Sequence, residues 1–458
     1  MTSSTISSSG VLSGPNAAVG PLVVSATNPR YFAVSAGPGT ERAVYLTGSH
    51  IWNNLQDGLG PGPACASVPE QNDYDAYLTF LDQRGHNFIR LWRWEQFKSQ
   101  AAGGNFHLCM MPQPWPRVGA GGAKDGKPRF DLSRFDPAYF DRLRQRVIAA
   151  GNRGIYVAVM LFDGWGLHLS PAPDNVEGHP FHAANNINGI GIRSIVDYQV
   201  LPLDPRVQAL QEAYITKVVD TLHDVPNVLW EVANESSGGG TVDEDFATAM
   251  GMSEIPNWGD STAWQYWVID LVKRYERERG YEAHPIGMTM QFPVADQTRV
   301  NAVLYASQAD WISPGYDLMD FGIVDVVKPL DPSLGVPSFE SYEAARYAMG
   351  DTRRYAERMN LIRMEPRGDL ASTGFALAHV GREYLVLQPD EAGGSFTIEV
   401  ATGTYAVEWF SVTARETVRA APVTVGDTER RAFVPPFAAR GPAVLYLSRE
   451  LASGARNV

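Results

Sequence analysis

NVLWEVANE, residues 227–235, is an apolar run with two glutamates set into it. Strand alternation puts Leu229, Glu231, Ala233 and Glu235 on one face and Val228, Trp230 and Val232 on the other. Two carboxylates facing one interior are costly unless cations pair with them or chemistry uses them, because an unpaired buried charge costs several kcal/mol. Use is the economical explanation for Glu235, which ends the run. The plainer alternative is that Glu235 caps the following loop.

Five similar apolar runs flank it: AVYLTGSH (43–50), NFIRLWRW (87–94), IYVAVMLF (155–162), PIGMTMQF (285–292) and ADWISPG (309–315). Between them, Asp73–Arg84, Asp136–Asn152, Asp204–His223 and Ser261–Gly280 space their apolar residues three and four apart, as helices do. Alternating strands and helices predict βαβ units on a parallel sheet. Repeated crossovers without a reversal favour a TIM-type (β/α)8 barrel, with an open doubly wound sheet as the alternative. From about Leu370 the pattern shifts to short period-2 runs with glycine turns, which predicts a small antiparallel β-sandwich. The expected organisation is a flexible tail over 1–20, rich in Ser and Gly, a barrel over 21–366 closed by a helix at Phe339–Leu361, and a sandwich over 367–458. Arg363–Asp369 reads as the linker between them.

Composition narrows the function. Asp and Glu outnumber Lys and Arg by 51 to 38, for a net charge of −13, and no basic run stands out. That excludes a nucleic-acid partner. No stretch reaches the roughly 18 apolar residues of a membrane span, so no membrane partner is expected, and no secretory signal is recognisable at the start. There is no HExxH, CxxC or close His cluster and no glycine-rich phosphate loop, so neither metal nor cofactor is expected. Only Cys65 and Cys109 are present. Two free thiols are the simpler expectation, a single bridge between loops the other, and the chain leans cytoplasmic without excluding a trimmed secreted enzyme. The oligomeric state has no signature.

In a barrel, the carboxyl ends of the strands line the active site. Arg90 shares parity with Phe88 and Trp92 and should project inward, either to hold a nucleophile ionised or to pair with Glu231, and both can hold together. After the third run, LFDGWGLH places Asp163, Trp165 and His168 in a glycine-bearing loop that reads as a clamp for a ligand. Gln291 ends the fifth run. Trp92 and Trp94, two apart, should lie on one side, as platforms for a ligand or as rim packing.

Asn234-Glu235 at the end of the fourth run resembles the acid/base position of the retaining β/α-barrel glycosidases, with Glu231 fitting four residues earlier. YLTGSHIWNNLQD, NFIRLWRWEQF and DTRRYAERMNL resemble the apiosidase-like glycosidases, whose barrel precedes a small β-sandwich labelled a candidate collagen-binding domain; the similarity covers nearly the whole chain. The resemblance implies a glycoside hydrolase acting on a carbohydrate, a plant or microbial polysaccharide. Glu235 would protonate the glycosidic oxygen and later deprotonate water, Asn234 would hold the sugar's 2-hydroxyl, and Arg90 would be the second-strand arginine. His50, Trp52 and Asp57 resemble the first substrate-lining loop, and Trp92, Arg93 and Trp94 follow the second strand. A histidine such as His50 is more often a hydrogen-bonded core residue than a catalyst.

One part of the pattern departs from that family. Residues 316–338 leave 23 positions where a seventh strand, a helix and an eighth strand are needed. The resemblance puts the nucleophile on the seventh strand, about 5–5.5 Å from the acid/base. Asp317, Asp320, Asp325, Asp331 and Glu340 are nearby, but none stands in a matching context. An inverting reaction would need a separation of about 6.5–9.5 Å, with Asp163 opposite Glu235. A catalytically inactive sugar-binding relative is the first alternative, and an adhesion module built on the sandwich the second.

Overall fold

The computed structural model describes residues 11–34, 41–49, 51–61, 73–100, 106–168, 174–237, 259–289, 297–313 and 343–450. Two compact units are formed, one from residues 1–24, 32–35 and 46–350, the other from 25–31, 36–45 and 351–458.

The first unit is built on a five-stranded parallel sheet of β1 (Phe88–Leu91), β2 (Tyr156–Asp163), β3 (Val228–Asn234), β4 (Ile286–Thr289) and β5 (Trp311–Ser313), in that spatial order. Sequence neighbours are sheet neighbours throughout, as a β/α barrel requires. All eight residues of β2 and all seven of β3 are buried. Their outward side chains meet helices α1 (Tyr74–Gln83), α2 (Pro137–Gly151), α3 (Pro205–Leu222) and α4 (Thr262–Arg279) in one apolar core. The helix starts are set by local chemistry. Asp73, Asp136 and Asp204 each cap a first-turn amide, and Pro137 and Pro205 occupy the position where a missing N–H costs nothing. Gly280 ends α4 at φ 67°, a left-handed C-cap. Buried polar groups are shared between elements: Trp230 Nε1 of β3 donates to Glu276 Oε1 of α4 at 2.8 Å, and Trp264 Nε1 of α4 to Gln211 Oε1 of α3 at 2.9 Å.

The expected first strand is not part of this sheet. Arg42–Val44 is a short strand of the second unit, while Thr47 runs beside β1 and its carbonyl accepts from Asn87 N at 2.9 Å. A helix absent from the sequence reading, α5 (Gln297–Tyr305), joins β4 to β5. The sequence reading also lacks two hairpin systems on the loop side, Asp57–Pro61 with Ser99–Gln100 and Phe106–Met111, and Arg117–Gly122 with Pro128–Phe130. Residues 316–338, where the seventh and eighth strands were sought, lie outside the described residues. From residue 11 the expected tail is bonded to the sheet's amino end: Ala18 N donates to Gly151 O at 2.9 Å, and Tyr156 Oη to Val19 O at 2.6 Å.

The helix expected at Phe339–Leu361 is described as α6 (Glu343–Arg358), and the expected linker contains a strand, Glu365–Pro366, paired with Ala376–His379. The second unit holds a six-stranded antiparallel sheet and a two-stranded ribbon, Phe396–Val400 with Glu429–Phe433. Phe396, Ile398 and Phe433 share one apolar cluster with Tyr384, Tyr405 and Trp409. Glu416–Val425, which the sequence analysis did not mark, is one of the six strands.

Cys109 is disulfide-bonded, which overturns the expectation of two free thiols; the only other cysteine, Cys65, lies outside the described residues. No helix among the described residues is long and apolar enough to cross a membrane.

Asp136→Ala removes the bond to Ala138 N and is expected to cost about 1 kcal/mol. A lowered urea midpoint of the first unit's transition checks this; an unchanged midpoint would show the cap to be energetically idle.

Candidate active site

The carboxyl ends of β1, β2 and β3 bring together Arg90, Asp163, Asn234 and Glu235. Glu231 of β3 is fully buried, a position no carboxylate holds without a cation. Arg90 supplies it: Arg90 Nε donates to both Glu231 oxygens, at 3.1 and 2.9 Å, and Nη2 donates to Oε1 as well. Nη2 also donates to Asn234 Oδ1 at 3.0 Å. Burial works against the Arg90 charge, but Glu231, with Glu235 and Asp163 beyond it, holds the guanidinium firmly protonated. The guanidinium lies 4.7 Å from the Trp92 ring centroid. The inward projection of Arg90 and its pairing with Glu231 are thus both present.

Simple alternation fails at the end of β3. Ala233 lies in the apolar core, and Asn234 rather than Ala233 turns to the Arg90 side beside Glu231. The chain leaves the strand at Glu235, whose φ is 46°. That left-handed backbone costs a non-glycine residue about 1–3 kcal/mol. The surroundings enforce it: Gly164 packs so closely that a Cβ there would sit 2.3 Å from the Glu235 carbonyl oxygen. Gly164 N also donates to Asn234 O at 2.7 Å, locking the ends of β2 and β3 together.

Asp163 ends β2, in register with Asn234 at the end of β3. Its side chain is sealed from solvent, Oδ1 accepting from Asn234 Nδ2 at 3.3 Å and Oδ2 from Gly166 N at 2.9 Å. It therefore ties Asn234 to the turn at Gly166. Burial pushes its carboxyl up to about 8; the Gly166 N–H opposes the shift, and the Glu95 and Glu235 charges add to it.

Trp52, Trp92, Trp94 and Trp165 form one aromatic cluster. Ring centroids are 5.7 Å apart for Trp92 and Trp94, 6.3 Å for Trp52 with each of them, and 5.5 Å for Trp94 and Trp165. Trp92 and Trp94 are buried over Leu108, Met110 and Met160, whereas Trp52 and Trp165 are half-exposed. Asp57 is not presented to this cluster as a free acid: Arg142 of α2 donates to it at 2.7 Å. His168 lies in the short helix Trp165–His168. His50 and Gln291 lie outside the described residues, as do Asp317, Asp320, Asp325, Asp331 and Glu340. Among the described residues no group of three or more His, Cys, Asp and Glu could hold a metal.

The sequence analysis also missed a buried set behind the site. Glu95 binds Arg93 at 3.2 Å, His179 Nε2 at 2.9 Å, Tyr198 Oη at 2.5 Å and the Asp163 backbone N at 3.0 Å. Phe181 N donates to His179 Nδ1 at 3.0 Å, so the imidazole is neutral and carries its proton on Nε2 toward Glu95. Burial also lowers the His179 pKa. The signal was there in LWRWEQF: the opposite charges of Arg93 and Glu95, two apart, with the parity opposite to Trp92 and Trp94.

Two stability measurements test this description. Arg90→Leu leaves Glu231 buried without a cation and is expected to cost about 3 kcal/mol, with part recovered in Arg90→Leu/Glu231→Leu; urea titrations check it, and a neutral single variant would refute it. Asp163 binds a proton when folded that it releases near pH 4 when unfolded, so its contribution to stability falls as pH rises from about 4 to about 8. Wild-type stability should therefore drop more steeply over that window than that of Asp163→Asn. Parallel curves would mean that Asp163 ionises normally.

No protein-family model matches the sequence, and no curated protein matches it. Solved structures do. A candidate glycoside hydrolase from Bacteroides vulgatus ATCC 8482 aligns with 96% of this chain and 84% of its own, at 15% identity and a TM-score of 0.53. A family 5 glycoside hydrolase from the same organism covers 94% of each chain at 13% identity and a TM-score of 0.48. A family 44 xyloglucanase from Paenibacillus polymyxa covers 94% of this chain and 97% of its own, at 9% identity and a TM-score of 0.36. At such identities the likeness is one of fold, and it rests on the first of the three. The chain shares the fold of that candidate glycoside hydrolase; neither the apiosidase-like family nor the collagen-binding label gains support from these matches.

Proposed function

We propose that this chain is a glycoside hydrolase that cleaves O-glycosidic bonds of a plant or microbial polysaccharide, with Glu235 as the acid/base. The observation that carries the reading is the strained Glu235 at the carboxyl end of β3, beside an Asn234 held at both ends of its amide. Strain of this kind persists where the surroundings over-determine it, and functional sites are where it collects.

In the first step Glu235 donates its proton to the glycosidic oxygen as the bond to the anomeric carbon breaks; in the second it takes a proton from water. Asn234 Oδ1 accepts from Arg90 and Nδ2 donates to Asp163. The amide keeps a second lone pair and a second hydrogen for the sugar's 2-hydroxyl. Trp52 and Trp165, half-exposed over the buried Trp92 and Trp94, offer apolar faces to the rings of a glycan. Asp163 does not suit the inverting alternative: its side chain is sealed from solvent, with its oxygens taken by Asn234 and Gly166. The reading therefore takes its second carboxylate from another part of the chain. The disulfide at Cys109 supports action in an oxidising, exported setting.

An inactive sugar-binding relative is the second reading, favoured by the 23 positions available between residues 316 and 338. A panel of aryl glycosides and polysaccharides, tested with folded wild type and Glu235→Gln, separates the two. Wild-type turnover should fall by roughly 10²–10⁴-fold in the variant. Equal turnover in both would dismiss Glu235, and sugar binding without turnover in wild type would establish the second reading.

A further inference from the structure

Glu95 is a buried acid to which the mechanism above gives no part. Its side chain is about as inaccessible as a group can be, with relative exposure of 1%. Taking a carboxylate out of water is expensive unless its lone pairs are filled, and here they are: Oε1 accepts from Asp163 N at 3.0 Å, and Oε2 from His179 Nε2 at 2.9 Å and Tyr198 Oη at 2.5 Å. Arg93, itself fully buried, supplies the countercharge at 3.2 Å and is seated over the Tyr214 ring of α3 at 3.9 Å. Burial raises the pKa of Glu95, but Arg93, His179 and Tyr198 outweigh it and keep the group ionised.

The bond to Asp163 N gives this cluster its direction. Asp163 is the last residue of β2 and lies in register with Asn234, the last of β3. Its carboxyl accepts from the Asn234 amide, whose oxygen accepts from Arg90, the partner of Glu231. A line of directed bonds therefore runs from the helix-facing side of the sheet to the residue before Glu235. We propose that Glu95 and Asp163 are positioning residues, which fix Asn234 and Glu235 for proton delivery to the leaving group without touching the sugar. A carboxyl kept neutral at Asp163 suits this role, since it braces Asn234 without placing a second full negative charge beside Glu235.

The inference rests on the glycosidase reading, and leaving-group dependence separates the two. Poor leaving groups need a well-placed acid, whereas an activated aryl glycoside such as a dinitrophenyl glycoside departs without one. Glu95→Gln and Asp163→Asn, each shown to be folded by circular dichroism, are compared with wild type and Glu235→Gln on both substrate types. The expected result is a kcat/KM lowered on the order of 10–100-fold on the poor leaving group, with a nearly wild-type kcat/KM for the dinitrophenyl glycoside, since that ratio reports the steps up to departure of the leaving group and not the later attack of water. An equal loss on both substrates would indicate a structural role alone and overturn the proposal. So would wild-type kinetics in both variants while Glu235→Gln shows the leaving-group pattern. Should Glu95→Gln fail to fold, Tyr198→Phe, which removes one donor to Glu95, takes its place with the same expectations on a smaller scale. Wild type without turnover, or Glu235→Gln without the pattern, would instead defeat the underlying reading.

Discussion

A carboxylate sealed inside a parallel sheet must have a cation, and the pairing of Glu231 with Arg90 is the constraint around which the site is arranged. The bidentate geometry fixes the guanidinium plane. With the plane fixed, the remaining Nη2 direction falls on Asn234, and the position of Asn234 in turn determines where the chain can leave β3. A lysine at position 90 would supply the charge without this geometry, because a point charge has no fixed second direction.

Outward from that pair the structure adds further layers. The half-exposed tryptophans stand over buried ones, Asp163 lies under Asn234, and Glu95 with Arg93 and His179 lies under Asp163. The polar layers are bonded one to the next, Glu95 to the Asp163 backbone and the Asp163 carboxyl to Asn234, which is how charged groups are accommodated at the carboxyl end of β2 and β3. The cost appears where the chain turns, in the left-handed Glu235 and in the glycine at 164 that must stand against it.

The fold match at 15% identity agrees with this architecture but does not decide the chemistry, since one fold supports many reactions. The functional reading therefore depends on the geometry at the end of β3. Arg90, Asp163, Trp92, Trp94 and Trp165 could be picked out one at a time from strand parity and loop position. What joins them could not: Asp163 reads on paper like a solvent-facing sugar ligand, and only its bonds to Asn234 and Gly166 show a buried brace. Asp57 reads likewise and is bound to Arg142.

By itself the sequence determined what depends on neighbours a few residues away. Asp caps and Pro starts mark α2 and α3, Gly280 ends α4, and apolar runs locate β1 to β5 within a few residues, because capping bonds and side-chain periodicity are local. Tertiary structure decided the rest. Whether Arg42–Val44 joins the parallel sheet, which face Asn234 takes once alternation breaks, and how Glu95 reaches Asp163 across 68 residues all depend on packing between distant segments. No local pattern encodes that packing, because burial and the need to satisfy every buried polar group act only when the chain is closed.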